Sequence, residues 1–260
     1  MSVGVEDDLG TPVLRTVPAT RVVSLVPSLT EAIASADSSA LVGATDWCTH
    51  PPDLAVARVR GTKNPDVRAI VDLGPDLVIA NKEENREIDV RRLRDAGIAV
   101  WVTEIGSLGR AFTSLERMFD EALGWERPGW LSTAQAAWAA PLDGPRLRVS
   151  VPIWRDPWMV VGPQTFTADL LRRLGCDLVP VDSLDRYPTV SRDLLDAAGA
   201  DVILLPDEPY VFSAQDGPEA FVLTPTQLVS GRLLTWYGPS LVPARQELES
   251  ALLPWRQPRL

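Results

Sequence analysis

The segment Asp46-Trp-Cys-Thr-His-Pro-Pro-Asp53 holds the chain's only histidine, His50, and one of its two cysteines, Cys48. A thiol two residues from an imidazole can ligate a metal, act as a nucleophile beside its base, or line a pocket. A zinc site usually takes three or four ligands, and without a second histidine or a nearby cysteine, carboxylates would have to complete it. The plainer readings are packing for Cys48, because a free cysteine behaves as a small hydrophobe, and a backbone hydrogen bond for His50. Of the two, His50 is the better candidate for touching a ligand, since one imidazole can titrate, donate or coordinate.

Four further segments carry groups that suit ligand contact. In Gly-Thr-Lys63-Asn-Pro-Asp66, Asn64 or Asp66 can cap a following helix, and Lys63 can meet an acidic ligand group. Asn-Lys-Glu83-Glu84-Asn85-Arg86 brings carboxylates to a strand end, where some simply suit a helix N-terminus and others face inward. Pro-Asp207-Glu208-Pro-Tyr210-Val-Phe212 is its counterpart later in the chain. Ile-Trp154-Arg155-Asp-Pro-Trp158-Met159, with Phe166 shortly after, sets aromatic faces beside a guanidinium. That set suits a broad, flat, partly apolar ligand bearing acids or amides, held by stacking and bidentate hydrogen bonds. One of the two tryptophans is expected to be structural. Trp236 and Tyr237 either add to this set or pack against a sheet. No nucleophile elbow, phosphate-binding glycine loop or His-x-x-x-His pair occurs, so no reaction class and no catalytic residue is nominated.

The elements that position these groups read as an alternation of strand and helix. Residues 21–26, 40–45, 75–80 and 98–103 are short apolar strands, with helical patterns in Val-Arg-Ala-Ile-Val-Asp-Leu and in the arginine-rich stretch 85–97. Ser28-Leu-Thr-Glu31 predicts a capping box for the helix after the first strand. The pattern restarts with a strand at 147–154, a helix from Thr167, strands at 176–181 and 201–206, and a helix from Ser191 between them. Short apolar strands separated by amphipathic helices indicate parallel α/β sheets. Gly74-Pro-Asp76-Leu-Val-Ile-Ala-Asn-Lys-Glu83 matches Gly199-Ala-Asp201-Val-Ile-Leu-Leu-Pro-Asp-Glu208 at an offset of about 125 residues, which sets Glu83 against Glu208. Both follow the carboxyl end of a parallel strand, the edge at which open α/β sheets place ligands. The predicted organisation is a tail over 1–20, an α/β lobe over 21–125, a connecting helix over 126–143 and a second α/β lobe over 144–260.

Composition narrows the function classes. The chain of 260 residues is 45% hydrophobic and 23% charged, the balance of a folded globular protein. A net charge of −10 argues against nucleic acid, whose binding needs clustered Lys and Arg. No apolar run is long enough to span a bilayer, and the acidic, proline-broken start does not read as a signal peptide. The expectation is a cytoplasmic protein with reduced thiols, or a periplasmic or extracellular one if the start is truncated.

The Arg-Val-Val-Ser-Leu-Val-Pro-Ser-Leu-Thr-Glu start, the Gly-Thr-Lys-Asn-Pro-Asp turn, the Pro-Asp-Leu-Val-Ile-Ala strand and the repeat after a single connector resemble the class III periplasmic binding proteins. These are the cobalamin, siderophore and heme receptors of ABC transporters. The similarity covers residues 20–255 and is closest to the cobalamin-binding branch; the shared order of the motifs carries it. The resemblance implies two α/β lobes, each with a parallel sheet flanked by helices, joined by one long helix, with a small-molecule ligand in the cleft. The two-lobed plan and the Trp154, Arg155, Trp158 cluster motivate a corrinoid or other metal chelate as that ligand, and the residues read above as candidate contacts are Cys48, His50, Lys63, Glu83, Glu84, Trp154, Arg155, Trp158, Glu208, Tyr210 and Trp236. Exported members place a glutamate on each lobe to meet arginines of the permease. The matching positions here are Arg68 and Asp193, one of them reversed in charge, which puts permease docking in question. The alternative is a cytoplasmic metal-dependent enzyme or metal-handling protein built on Cys48, His50 and the carboxylates.

Overall fold

The computed structural model describes residues 2–180 and 185–256. Val181, the last residue of the strand expected over 176–181, lies outside the described residues, as do the outermost residues of the tail and of the second lobe. The chain forms two compact units. The first comprises 1–105, 109–132 and 237–239; the second comprises 106–108, 133–236 and 240–260.

The first unit opens on a hairpin in place of the expected tail: β1 (Ser2–Glu6) pairs antiparallel with β2 (Pro12–Thr16). Its acidic turn is not solvated. Asp7 accepts hydrogen bonds from the Leu9 and Thr11 N–H groups and from Arg94 at 2.7 Å. Asp8 accepts from Arg117 at 2.6 Å, while its own N–H donates to the Val102 carbonyl. A buried carboxylate is costly unless paired and hydrogen-bonded, and these two have such partners about 90 to 110 residues further along.

The sheet itself begins with β3 (Val22–Ser24) and α1 (Pro27–Asp37). Here the expected capping box is corrected. Pro27 starts the helix, which needs no N–H at that position, so Ser28, Thr30 and Glu31 fall inside it and are buried. β4 (Leu41–Ala44), β5 (Ala57–Arg58), the small hairpin of β6 (Arg60–Gly61) and β7 (Asn64–Pro65), and α2 (Val67–Asp72) follow. Asp66 caps α2 by accepting from the Ala69 N–H at 3.0 Å. β8 (Leu77–Asn81), α3 (Glu87–Asp95), β9 (Val100–Thr103) and α4 (Leu108–Arg117) complete the unit's main elements. The strands form an all-parallel sheet in the order β5-β4-β3-β8-β9. β8 is buried throughout, as expected of a strand covered on both faces. Its core includes Val23, Leu25, Ile70, Val78, Leu93 and Val102, each such side chain contributing about 1.5–3 kcal/mol by burial.

Within the expected connector, 126–143, the helix is α5 (Gly129–Ala137), and the division between the units falls inside it, after Ser132. The second unit runs through β10 (Leu147–Ser150), the hairpin of β11 (Pro152–Trp154) and β12 (Met159–Val160), α6 (Phe166–Arg173), β13 (Cys176–Leu178), α7 (Arg192–Ala197), β14 (Val202–Pro206), β15 (Thr226–Val229), α8 (Gly231–Thr235) and α9 (Leu241–Leu252). Its sheet is again parallel, in the order β13-β10-β14-β15.

Each sheet starts in its middle. In the first, the chain goes from β3 to β4 on one side and returns to β8 on the other; in the second, β10 is flanked by β13 and β14. The points where strand order reverses lie between β3 and β8, and between β10 and β14. At such switch points the loops leaving the two strands diverge and open a crevice at their carboxyl ends.

Candidate functional site

The loop leaving β8 carries Glu83 and Glu84, and two buried asparagines shape it. The Asn81 side-chain oxygen accepts from the N–H groups of Glu83 (2.8 Å) and Glu84 (3.2 Å), and its amide donates to Thr103. The Asn85 oxygen accepts from the Asn81 N–H at 2.8 Å, and its amide donates to the carbonyls of Leu25 and Thr62. One side chain thus ties together the end of β3, the β6–β7 hairpin and the exit of β8. Lys63, exposed on that hairpin, donates to the Glu83 carbonyl.

Glu84 is half-buried. Burial pushes its carboxyl above the ordinary range; the Lys63 ammonium opposes that shift and the Glu83 carboxylate reinforces it. A carboxyl whose pKa is higher folded than unfolded removes stability as pH rises through the interval between the two values. Glu84→Gln should therefore raise the melting temperature near neutral pH and change it little below about pH 4. Thermal melts at both pH values check this, and an equal change at both would contradict it.

The loop leaving β4 places Trp47, which the sequence reading passed over in favour of its neighbours. Trp47 is 65% exposed. It rests against Gly61, where a Cβ would come within 3.3 Å of the indole Nε1 and 2.5 Å of the Asn64 Oδ1, so a larger residue there would displace the Asn64 side chain and crowd the indole. The signal was present as a tryptophan in a polar, proline-rich loop with no periodic apolar pattern around it.

Cys48, expected among the contacting set, is instead fully buried. Its sulfur lies 3.0 Å from Thr30 Oγ1 and 3.1 Å from Thr45 Oγ1, and burial pushes its thiol up, against the pull of those hydroxyls. His50, half-buried, has Nδ1 3.1 Å from the Thr49 hydroxyl. Among the described residues no three His, Cys, Asp or Glu side chains cluster closely enough to hold a metal ion. Among those residues, Cys48 and His50 have no third such side chain beside them.

In the second unit the exits of β11 and β14 come together. Trp154, 44% exposed, meets Tyr210 edge to face at 5.7 Å between centroids. The Tyr210 hydroxyl donates to Asp216 at 2.6 Å, and that bond holds the phenol above its ordinary pKa. Arg155 donates to both Asp216 and Glu219 and lies over the Trp158 ring at 5.5 Å. Asp156, at φ 58°, turns the chain in the left-handed region that Asp tolerates.

Two other candidate contacts have buried side chains. Trp158 is buried, stacked on Phe212 at 5.9 Å and packed against Phe221, Leu195 and Leu205. Trp236 is buried under the Arg232 guanidinium. In a parallel sheet covered on both faces, large aromatic side chains near strand ends fill space beneath the loops. Glu208 is half-buried against Gly231, where a Cβ would come within 2.4 Å of its side chain, while the adjacent Asp207 caps α8 at the Gly231 N–H. The structure therefore brings Lys63, Glu83 and Glu84 together on one edge, and Trp154, Arg155 and Tyr210 together on the other unit's edge.

No protein-family model matches the chain. A vitamin B12-binding protein of Vibrio cholerae is 30% identical over 103 residues, a match that spans 39% of this chain and 37% of that protein. The vitamin B12-binding protein of Salmonella choleraesuis is 28% identical over 189 residues, spanning 67% and 68% of the two chains. Among solved structures, the periplasmic heme-binding protein of Roseiflexus superposes with a TM-score of 0.78 at 21% identity, over 92% of this chain and all of the other. That structure is of a periplasmic protein, so the expectation of a cytoplasmic location finds no support in it. Two parallel sheets, the motif order from Arg21 to Arg86 and these likenesses agree: the chain has the fold of the periplasmic heme-binding protein and is similar in sequence to the vitamin B12-binding proteins, which are class III periplasmic binding proteins.

Proposed function

We propose that this chain is a substrate-binding protein for a corrinoid of the vitamin B12 class, with no catalytic step of its own. The carrying observation is the exposed Trp154 beside Tyr210, standing where the strand order of the second sheet reverses. An exposed tryptophan edge-packed by a tyrosine presents a rigid apolar face at low entropic cost. The first unit, taken by itself, carries a comparable set at the exits of its own strands: an aromatic ring, Trp47, with the polar groups His50, Lys63, Glu83 and Glu84. The B12-binding relatives favour a corrinoid over other metal chelates. The ligand is the only metal carrier this reading needs, because Cys48 is spent on packing.

Delivery to an ABC permease through paired carboxylates is not part of this reading. Arg68 and Asp193 are each the second residue of their helix, α2 and α7, and only Asp193 carries the negative charge. Relatives of this kind function outside the cytoplasm, and the same location suits this chain.

The test is titration of the purified protein with cyanocobalamin, hemin and a ferric siderophore, followed by visible absorbance and by the melting temperature. A ligand held by the folded state alone raises the midpoint. Saturable binding of cyanocobalamin at micromolar concentration or below is expected, and the absence of saturable binding by all three overturns the proposal.

A further inference from the structure

The sequence suggested that Arg155 helps grip acids or amides of the ligand, yet in the structure its guanidinium is already committed. It donates through Nη1 to Asp216 and Glu219, has Asp156 at 3.9 Å from Nε, and lies over Trp158. Both carboxylates are held from behind as well. The Asp216 carboxylate accepts from the Tyr210 hydroxyl while the Asp216 N–H donates to the Ser213 hydroxyl oxygen, and Glu219 accepts from the Gly217 N–H at 2.6 Å. Arg155 is about three-quarters covered, whereas Asp216, Glu219 and Asp156 have side chains 43%, 49% and 88% exposed. The cation of this cluster is thus turned inward and its carboxylates outward, next to the Trp154–Tyr210 face.

Resting on the corrinoid reading of the same site, we propose that the Arg155–Asp216–Glu219 cluster makes the second unit's edge select by charge. It accepts a flat ligand rimmed by neutral amides or carrying positive charge and disfavours one rimmed by carboxylates. The physical cause is that unpaired like charges brought together on desolvation are repelled and find no free guanidinium to compensate them. Arg155 acts here as a positioning residue: it holds Asp216, and through it Tyr210, in place without meeting the ligand.

Cyanocobalamin, whose rim is amides, and hemin, whose rim carries two propionates, are the probes, and the readout is the ratio of their dissociation constants. The intact chain should prefer cyanocobalamin. Asp216→Asn and Glu219→Gln, singly and together, should each shift the ratio toward hemin, by about three- to tenfold for the pair. Raising salt from about 0.05 M to about 0.5 M should shift the ratio the same way in the intact chain and less in the double variant, because screening weakens the repulsion. Glu219→Gln, at an exposed position, serves if the Asp216 variant folds poorly. An unchanged ratio in the variants, or one insensitive to salt, overturns the charge rule while leaving ligand binding standing. Binding of neither probe by the folded intact chain overturns the function reading and this inference with it.

Discussion

Asn85→Ala should be among the most damaging single substitutions in the first unit, lowering stability by about 2–4 kcal/mol. The side chain is buried and makes three hydrogen bonds: it receives the Asn81 N–H and donates to Leu25 and Thr62. Truncation leaves a buried N–H and two carbonyls without these partners, and each unsatisfied buried group costs its full desolvation penalty. The expected fall in melting temperature is roughly 5–10 °C. A variant that melts within about 1 °C of the parent would show that the loop is held by other means.

Trp154→Ala should have the opposite profile. The ring is 44% exposed and touches Tyr210 at its edge, so its loss should change stability by no more than about 0.5 kcal/mol. Ligand affinity should drop by about 10- to 100-fold, the usual range for an aromatic anchor at the centre of a contact. Trp158→Ala is the contrast, costing about 3–5 kcal/mol of stability because that ring is packed in the core. Calorimetric titration beside thermal melts separates the two, and equal stability losses for both would contradict the assignment of Trp154 to the ligand face.

The strands and helices that build the sheets were legible because apolar runs such as Leu77–Asn81 are fully buried and bounded by turn residues. The internal repeat was legible for the same reason, and it located the loops after β8 and β14 in advance. What the sequence could not show were contacts between distant residues. Asp7 and Asp8 read as part of an acidic tail, since nothing local reveals Arg94 and Arg117. Arg155 read as a free cation because Asp216 and Glu219 are more than 60 positions away. Trp154 and Trp158 look alike in sequence; the hairpin between β11 and β12 turns one ring outward and seats the other among Phe212 and Phe221. The capping-box signal at Ser28 lost to Pro27, whose fixed φ starts the helix earlier.

The central claim is that the loops leaving the strands at the second unit's switch point hold the ligand. The crystal structure of the protein grown with cyanocobalamin tests it most directly. The account predicts a corrin ring against Trp154, beside Tyr210. A ring seated elsewhere, such as the groove lined by Phe221, Thr224 and Trp255, would contradict it.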